Sequence, residues 1–180
     1  METIKKTKLA TIWLSGCSGC HMSFLDQDEL LIELAKKVQL VYSPLMDVKT
    51  FPENVDVTLI EGAVANEEQQ SLLKQARAQT KILISLGDCA VTGNVTALRN
   101  AWSDSDQAAL EKAYVENSDV NAQIPTDVPK LLEKVRPLHE VVKVDYFIPG
   151  CPPSAGLINY VLTELLAGRT PNMEGRSKYG

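Results

Sequence analysis

Residues 81–89 read Lys-Ile-Leu-Ile-Ser-Leu-Gly-Asp-Cys and hold the pattern that decides the fold. A run of β-branched and aliphatic residues that stops at a glycine is typical of a buried strand in a parallel sheet. Similar apolar runs occur at residues 8–15 and 144–148. Each of the three runs leads directly into a loop that contains cysteine, so each cysteine loop is predicted to follow a strand.

All four cysteines of the chain lie in these loops, at positions Cys17, Cys20, Cys89 and Cys151. Strands that alternate with helices predict an α/β, flavodoxin-like doubly wound parallel sheet, because parallel neighbours need crossover connections. Ligands bind such sheets at the carboxyl ends of the strands, and the cysteine loops are predicted there. In a 2-1-3-4-5 strand order the third strand is central, so Glu61 at its end is predicted to face the same crevice.

Periodicity and capping signals predict the remaining elements of a single domain over residues 1–180. Apolar residues at helical spacing predict a helix over 22–38, with Ser23 and Asp26 as a capping box. Asn66 and Ser154 are predicted to cap two further helices, the second running to about residue 167. The other predicted segments are strands at 39–45 and 55–60, helices at about 92–100 and 128–135, a surface excursion at about 101–129 and a polar tail at about 169–180.

The composition is that of an ordinary globular protein, with 44% hydrophobic and 23% charged residues. A formal net charge of -5 gives no attraction for nucleic acid or for anionic lipid. The apolar run at residues 9–14 is too short for a signal-peptide core or a membrane span. We therefore expect a cytoplasmic protein with no nucleic acid and no membrane as partner. Cysteines in that compartment favour metal binding over disulfides.

Four thiolates suit either tetrahedral zinc or a cubane iron–sulfur cluster. Structural zinc usually takes two close pairs of ligands, whereas this chain has one Cys-x-x-Cys pair and two cysteines far along the sequence. The spacing favours the cluster. Gly16 and Gly19, beside the paired cysteines, let the backbone approach a bulky inorganic group closely.

Signals for other cofactors are weaker. Gly16 and Gly19 lack both the dinucleotide fingerprint and the phosphate-loop ending, which argues against nucleotide binding. A flavin at the switch point of the sheet stays undecided. His21 is predicted to be solvated or to cap a helix rather than to contact the cluster's surroundings, and His139 is predicted on the surface. Trp13 is predicted in the core.

The cysteine motifs resemble those of a known family. The stretches 16–20 (Gly-Cys-Ser-Gly-Cys), 61–62 (Glu-Gly), 87–89 (Gly-Asp-Cys) and 149–153 (Pro-Gly-Cys-Pro-Pro), in this order, are similar to the small subunit of [NiFe] hydrogenases. That family is shared with the complex I subunit that carries the terminal cluster at the quinone end. The likeness covers most of the chain and is strongest to cytoplasmic, bidirectional NAD-reducing hydrogenases, because the first motif continues as Cys-His-Met-Ser-Phe-Leu-Asp over residues 20–26.

The resemblance implies one [4Fe–4S] cluster, the proximal cluster of the family, bound by Cys17, Cys20, Cys89 and Cys151. It also implies a separate large subunit that carries the nickel–iron centre, and iron–sulfur and flavin diaphorase subunits that hold FMN and reduce NAD. The chain would then be an electron-transfer subunit of an oxidoreductase and not a catalyst alone. A hydrogenase that uses NADP, a deazaflavin or ferredoxin is the first alternative, and a zinc-stabilised interaction module is the second.

Two further residues follow from the resemblance or from the sheet order. Ser18 occupies a position where the family commonly has a hydroxyl residue facing the large subunit, which implies a proton relay, while a simple turn role is the alternative. Glu61 would tune the cluster or line a proton route, with a surface carboxylate as the alternative. We also expect an obligate complex that covers apolar surface near Phe24 or Trp102.

Overall fold

A five-stranded parallel sheet forms the centre of the protein in the computed structural model, which describes residues 6–179. Its spatial order is β2-β1-β3-β5-β7, which is the predicted 2-1-3-4-5 order when the strands of this sheet alone are counted. A separate two-stranded antiparallel sheet pairs β4 with β6. The strands are β1 Thr7–Trp13, β2 Val38–Tyr42, β3 Val55–Glu61, β4 Val64–Asn66, β5 Thr80–Leu86, β6 Leu131–Arg136 and β7 Tyr146–Ile148.

Helices connect the strands and cover both faces of the sheet. They are α1 Gly19–Leu25, α2 Leu30–Lys37, α3 Glu67–Gln79, α4 Asp88–Thr92, α5 Ser105–Glu111 and α6 Ala155–Leu166. Both predicted caps are confirmed. The Asn66 side chain accepts a hydrogen bond from the Gln69 N–H at 2.8 Å, and the Ser154 hydroxyl accepts one from the Leu157 N–H at 3.3 Å.

Buried aliphatic residues alternate between the two faces of the sheet, because successive side chains of a strand point in opposite directions. On one face Leu59 and Ile84 pack with Ile158 of α6. On the other face Ile60 and Leu83 pack with a cluster that includes Leu73 of α3. Each such side chain contributes about 1.5–3 kcal/mol when fully buried. The continuous apolar run at 82–84 therefore marks a central strand with a covered face on either side.

The helix predicted over 22–38 is wrong in part, because it is two helices with a break between them. Asp28 in the break has a φ of 49°, a left-handed conformation that interrupts a helix. Ser23 does not cap a helix: it lies inside α1, and its hydroxyl donates to the Pro153 carbonyl at 2.5 Å. The predicted capping box was therefore misplaced, and Ser23 instead ties α1 to the last cysteine loop.

The helix predicted at 128–135 is wrong, since residues 131–136 form strand β6. Its partner β4 lies about seventy residues earlier in the chain, so a local sequence pattern does not predict the pairing. The region predicted as a helix at about 92–100 is a 3-10 helix, Asn94–Ala101, that follows α4. The excursion at 101–129 contains α5 and one π-helical segment, Lys112–Glu116.

Three predictions on exposure have mixed outcomes. Trp13 is 48% exposed, so its placement in the core was wrong; its indole N–H donates to the Gly16 carbonyl at 3.1 Å. The polar tail, predicted to dock on a partner or to fray, contacts its own domain: the Arg176 guanidinium lies 4.4 Å from the centre of the Tyr160 ring. His139 is exposed, as predicted.

Two expectations concern the ends and the surroundings of the chain. No helix within residues 6–179 is long and apolar enough to cross a membrane. The basic amino-terminal residues 1–5 and the final Gly180 lie outside the described residues.

Candidate metal centre

The four cysteines line one cavity at the carboxyl edge of the sheet. Cys17 and Cys20 follow β1, Cys89 lies in α4 directly after β5, and Cys151 follows β7. All four are free thiols. Cys20 and Cys89 are buried, whereas Cys17 and Cys151 are exposed. The site is therefore closed on one side by the protein and open on the other.

Glycine at position 87 makes room for the buried thiol. Gly87 has a φ of 82°, and a Cβ atom at this position would lie 2.2 Å from Cys20 Sγ. Only glycine combines that backbone conformation with the missing side chain. Gly19 is a milder case, since its Cβ would lie 3.2 Å from Cys17 Sγ, and Gly16 approaches Gly62, whose Cα would lie 3.3 Å from an added Cβ.

Asp88 joins the second and third cysteine loops. Its carboxylate accepts a hydrogen bond from the Gly150 N–H at 2.7 Å, and its own N–H donates to the Gly150 carbonyl at 2.9 Å. Asp88 is buried, with 4% of its surface exposed. The sequence prediction missed this role, although an acidic residue between Gly87 and Cys89 was a visible signal. The two single cysteines are thus held in register by one carboxylate.

Glu61 and His21 connect the first cysteine loop to β3. The buried Glu61 carboxylate accepts hydrogen bonds from the Cys20 N–H at 3.3 Å and the His21 N–H at 2.9 Å. His21 Nδ1 lies 2.5 Å from the same carboxylate. Glu61 does line the site, as predicted, but it is not a surface carboxylate. The expectation of a solvated His21 was wrong, because its ring packs inward and its Nε2 atom is buried.

Burial and neighbouring negative charge oppose ionisation of the two buried thiols. Burial raises the pKa of Cys20 strongly, and the negative charge of Glu61 adds to the effect, followed by the other three cysteines. Burial also raises the pKa of Cys89, with smaller contributions from Cys151 and Cys17. Gathering several thiolates in one place is costly unless a positive centre compensates them. The arrangement is therefore suited to a cationic inorganic guest.

Ser18 forms the turn between the paired cysteines. Its φ of 64° is left-handed, and it precedes the first residue of α1 without capping that helix through its side chain. The backbone N–H of Met22 donates to the Ser18 carbonyl at 3.0 Å. The turn role of Ser18 is thus present in the structure.

The arrangement of the thiols bears on the choice between a single ion and a larger group. Within residues 6–179, no three side chains of Cys, His, Asp or Glu are grouped so that they could hold one metal ion. Tetrahedral zinc holds its sulfur ligands about 2.3 Å from one point. Four thiols around one cavity are compatible with a larger group, such as a cluster of several irons.

The sheet order and the cysteine-lined cavity at its carboxyl edge define an α/β protein with a flavodoxin-like core and a thiol site at the switch point. The chain belongs to the family described as the 20 kDa subunit of NADH ubiquinone oxidoreductase, whose sequence pattern matches residues 17–165. All four cysteines lie within the matched region.

Two curated relatives are hydrogenase subunits. The chain is 46% identical over 170 residues to the delta subunit of the NAD-reducing hydrogenase HoxS of Cupriavidus necator, which covers 91% of this chain and 80% of that one. It is 38% identical over 169 residues to a vhu subunit of the F420-non-reducing hydrogenase of Methanocaldococcus jannaschii, covering 92% and 58%. The chain therefore spans most of the first relative but little more than half of the second.

Solved structures agree with this assignment. A chain in the crystal structure of an NAD+-reducing [NiFe]-hydrogenase in the H2-reduced state has a TM-score of 0.92 and 41% identity, covering 98% of this chain and 100% of that one. A [NiFeSe]-hydrogenase chain from Dm. baculatum has a TM-score of 0.60 at 13% identity, covering 97% and 70%, and shows the common fold alone. The resemblance predicted from the cysteine motifs is confirmed, and the chain is a subunit of the hydrogenase type.

Proposed function

We propose that the chain is the electron-transfer small subunit of a cytoplasmic NAD-reducing [NiFe] hydrogenase. It would hold one [4Fe–4S] cluster through Cys17, Cys20, Cys89 and Cys151, within a single domain over residues 1–180. The observation that carries the proposal is the convergence of all four thiols on one cavity at the carboxyl edge. The likeness to the delta subunit of an NAD-reducing hydrogenase supports the choice of complex.

The residues around the cavity fit a cubane cluster. Gly87 leaves space where any side chain would strike Cys20 Sγ, and all four thiols line the same cavity. When bound, such a cluster would take up and release one electron at a time. The protein would fix the loops through Glu61 and Asp88, shield the buried ligands from water and expose the Cys17 and Cys151 side to a partner.

Partner subunits would supply the remaining chemistry. A large subunit with the nickel–iron centre would activate hydrogen, and diaphorase subunits with iron–sulfur clusters and FMN would reduce NAD. Four cysteines suffice for one cluster only, so electrons must leave to another protein. The alternative acceptors NADP, deazaflavin and ferredoxin belong to the same proposal, and the flavin on this chain stays undecided.

Metal analysis of the purified complex tests the cluster. We expect about four irons and four sulfides per chain in excess of the partners' content, with an electron paramagnetic resonance signal on reduction that is lost when the four cysteines are replaced. Zinc with no iron would establish the zinc-stabilised module instead. Identification of the co-purifying subunits tests the choice of electron acceptor.

Ser18 and Glu61 are proposed as residues that act on protons or on the cluster from within this chain. Ser18 would pass protons toward the large subunit through its hydroxyl. Glu61, which lies buried beside the cavity, would tune the cluster. Replacement of either residue by Ala is expected to slow hydrogen–deuterium exchange or to shift the cluster potential. Unchanged exchange together with an unchanged potential would remove the role of that residue.

The chain is also proposed to be an obligate part of its complex. Trp102 is 48% exposed; Phe24 itself is partly buried against the core, but its neighbours Met22 and Leu25 are exposed. A stable monomer of the isolated chain in analytical ultracentrifugation would contradict this proposal.

A further inference from the structure

The charge of the protein is concentrated in one segment. Residues 101–129 contain six acidic side chains and one basic one, a net charge of -5. The whole chain has 23 acidic and 18 basic residues, so the other 151 residues carry 17 of each sign and are balanced. We call residues 101–129 the acidic arm. Its charge equals that of the entire chain.

The base of the acidic arm is fixed to the body of the protein. The Arg99 guanidinium donates to the Leu132 carbonyl at 2.7 Å and to the Ser105 hydroxyl at 2.9 Å. Ser105 is completely buried and donates in turn to the Glu133 carbonyl. Asn100 exchanges two hydrogen bonds with the backbone of Val135, at 2.8 and 2.7 Å. The arm is therefore a built projection and not a frayed loop.

Beyond its base, the arm exposes apolar side chains together with its charges. Tyr114 and Val115 in the π-helical segment, and Val120 and Val128 in the returning stretch of chain, are all at least 40% exposed. Between the two halves lies a cavity of about 570 Å³. Leu110, Tyr114, Val128 and Leu131 give it apolar walls, and Asp106 and Lys130 lie at its edge. Apolar surface ringed by polar groups is typical of a binding site for another protein.

The sign of the charge restricts what can cover this groove. Nucleic acid and anionic lipid are negative and would be repelled. In a symmetric dimer the same face of both chains meets, so two arms with a net charge of -5 each would lie against each other. The remaining 151 residues carry equal numbers of acidic and basic side chains, so they bring no net positive charge to offset the arm.

We propose that the groove of the acidic arm is the docking site for a basic segment of another subunit of the same complex, one that inserts an apolar side chain between Tyr114 and Val128. Positive charges on that subunit would face Asp104, Asp106 and Asp127. Complementary charges of this kind steer association and fix the partner's orientation. The inference rests on the chain being a subunit of a complex, but it does not depend on the cluster.

Charge variants of the purified complex test the proposal. In the variant D104N/D106N/D127N, we expect the dissociation constant for one partner subunit to rise about tenfold at physiological salt, and the salt dependence of binding to weaken. Asn suits position 104, whose φ is 46°, because Asn tolerates left-handed backbone. The matched control D47N/E53Q/E140Q removes three exposed charges elsewhere and should leave the dissociation constant unchanged.

Photo-cross-linking identifies the partner. A benzophenone amino acid at Tyr114 is expected to cross-link to a segment of a partner subunit with net positive charge, and one at the exposed Ile32 should not. Equal dissociation constants for the two charge variants, or a cross-link only to neutral or acidic segments, would overturn the proposal. Iron content and the thermal unfolding midpoint are measured on the same samples. Normal iron content and a normal unfolding midpoint in an arm variant that has lost the partner support docking. If the wild-type protein contains no iron and only the arm variant loses the partner, the proposed function is overturned and docking is still supported.

Discussion

The two edges of the central sheet differ in the contacts that their polar side chains make. At the amino edge the charges are paired within the chain: Arg77 Nη1 lies 2.6 Å from the Asp145 carboxylate and Lys81 Nζ lies 2.7 Å from the Asp56 carboxylate. At the carboxyl edge the chain gathers four thiols, two of them exposed, around a cavity. The charged groups named at the amino edge pair with each other, whereas the thiols at the carboxyl edge are arranged to bind an inorganic group.

The residues at the amino edge stabilise the fold, whereas those at the carboxyl edge position the proposed metal-binding thiols. A substitution at the amino edge should lower the free energy of unfolding without affecting bound iron. A substitution at the carboxyl edge should affect bound iron first. Glu61 and Asp88 belong to the carboxyl edge, where their carboxylates accept hydrogen bonds from the backbone of the cysteine loops. The following changes, from the largest expected effect to the smallest, test this division.

Replacement of Cys20 by Ser should reduce bound iron per chain at least tenfold. Cys20 is buried beside Gly87, and its loop is anchored by Glu61, so its thiol is fixed at the cavity and its loss removes one of the four sulfur ligands. Iron and sulfide analysis measures the loss. Arg77→Ala, at the amino edge, is the control and should keep its iron. Full iron content in both Cys20→Ser and Cys20→Ala would remove Cys20 from the ligand set, since alanine, unlike serine, has no ligand atom.

Replacement of Gly87 by Ala should destabilise the protein by about 3 kcal/mol, because the new Cβ would lie 2.2 Å from Cys20 Sγ in a left-handed backbone conformation. Gly156→Ala is the matched control. Nothing lies within 4 Å of its Cβ position in α6, so that change should stabilise by up to about 1 kcal/mol. The thermal unfolding midpoint of the purified complex, carrying one variant subunit or the other, compares the two substitutions, and similar effects would refute the close approach.

Replacement of Arg77 by Ala should cost about 2 kcal/mol of unfolding free energy. Its guanidinium donates to Asp145 and to the carbonyls of Thr80, Lys81 and Lys143, where α3 joins β5 and β7 begins. Arg77→Lys keeps the charge but loses the fork of donors, and should recover less than half of the stability. A cost below about 0.5 kcal/mol would place the amino edge among ordinary surface ion pairs.

The contribution of Asp145 should depend on pH. Burial opposes ionisation of its carboxyl, but the Leu83 N–H, the Arg77 hydrogen bond and the charges of Arg77 and Lys143 outweigh it and lower its pKa. A lowered pKa in the folded state means stability that is present above the unfolded value of about 3.9 and lost as the pH falls through the folded value.

The stability difference between the wild type and Asp145→Asn should therefore be constant from about pH 7 to pH 5 and shrink below about pH 4. Denaturant unfolding across this range measures it. Asp47→Asn, an exposed carboxylate, should show no such change. A difference that grows as the pH falls would have the wrong sign for a carboxyl stabilised as an anion.

The sequence predicted the main sheet because its information there is local. Apolar runs at residues 8–15, 81–86 and 144–148, with helices between them, are sufficient for a parallel order. Strand β6 was missed because its pairing with β4 depends on a distant segment, and the break in the first helix depends on one left-handed residue, Asp28. The placements of Trp13 and His21 failed for a similar reason: exposure and contact are decided by what packs nearby in space.

The sequence by itself determined the four cysteines, their position after the strands, and the family to which they point. Those features depend only on residue type and on spacing along the chain, so they can be recognised without the folded structure. Only the tertiary structure decided which thiols are buried, that Glu61 and Asp88 hold the loops, and that the arm at 101–129 stands on a fixed base. These depend on contacts between residues far apart in the chain, such as Asp88 and Gly150 at 62 positions, and such contacts form only when the chain has folded.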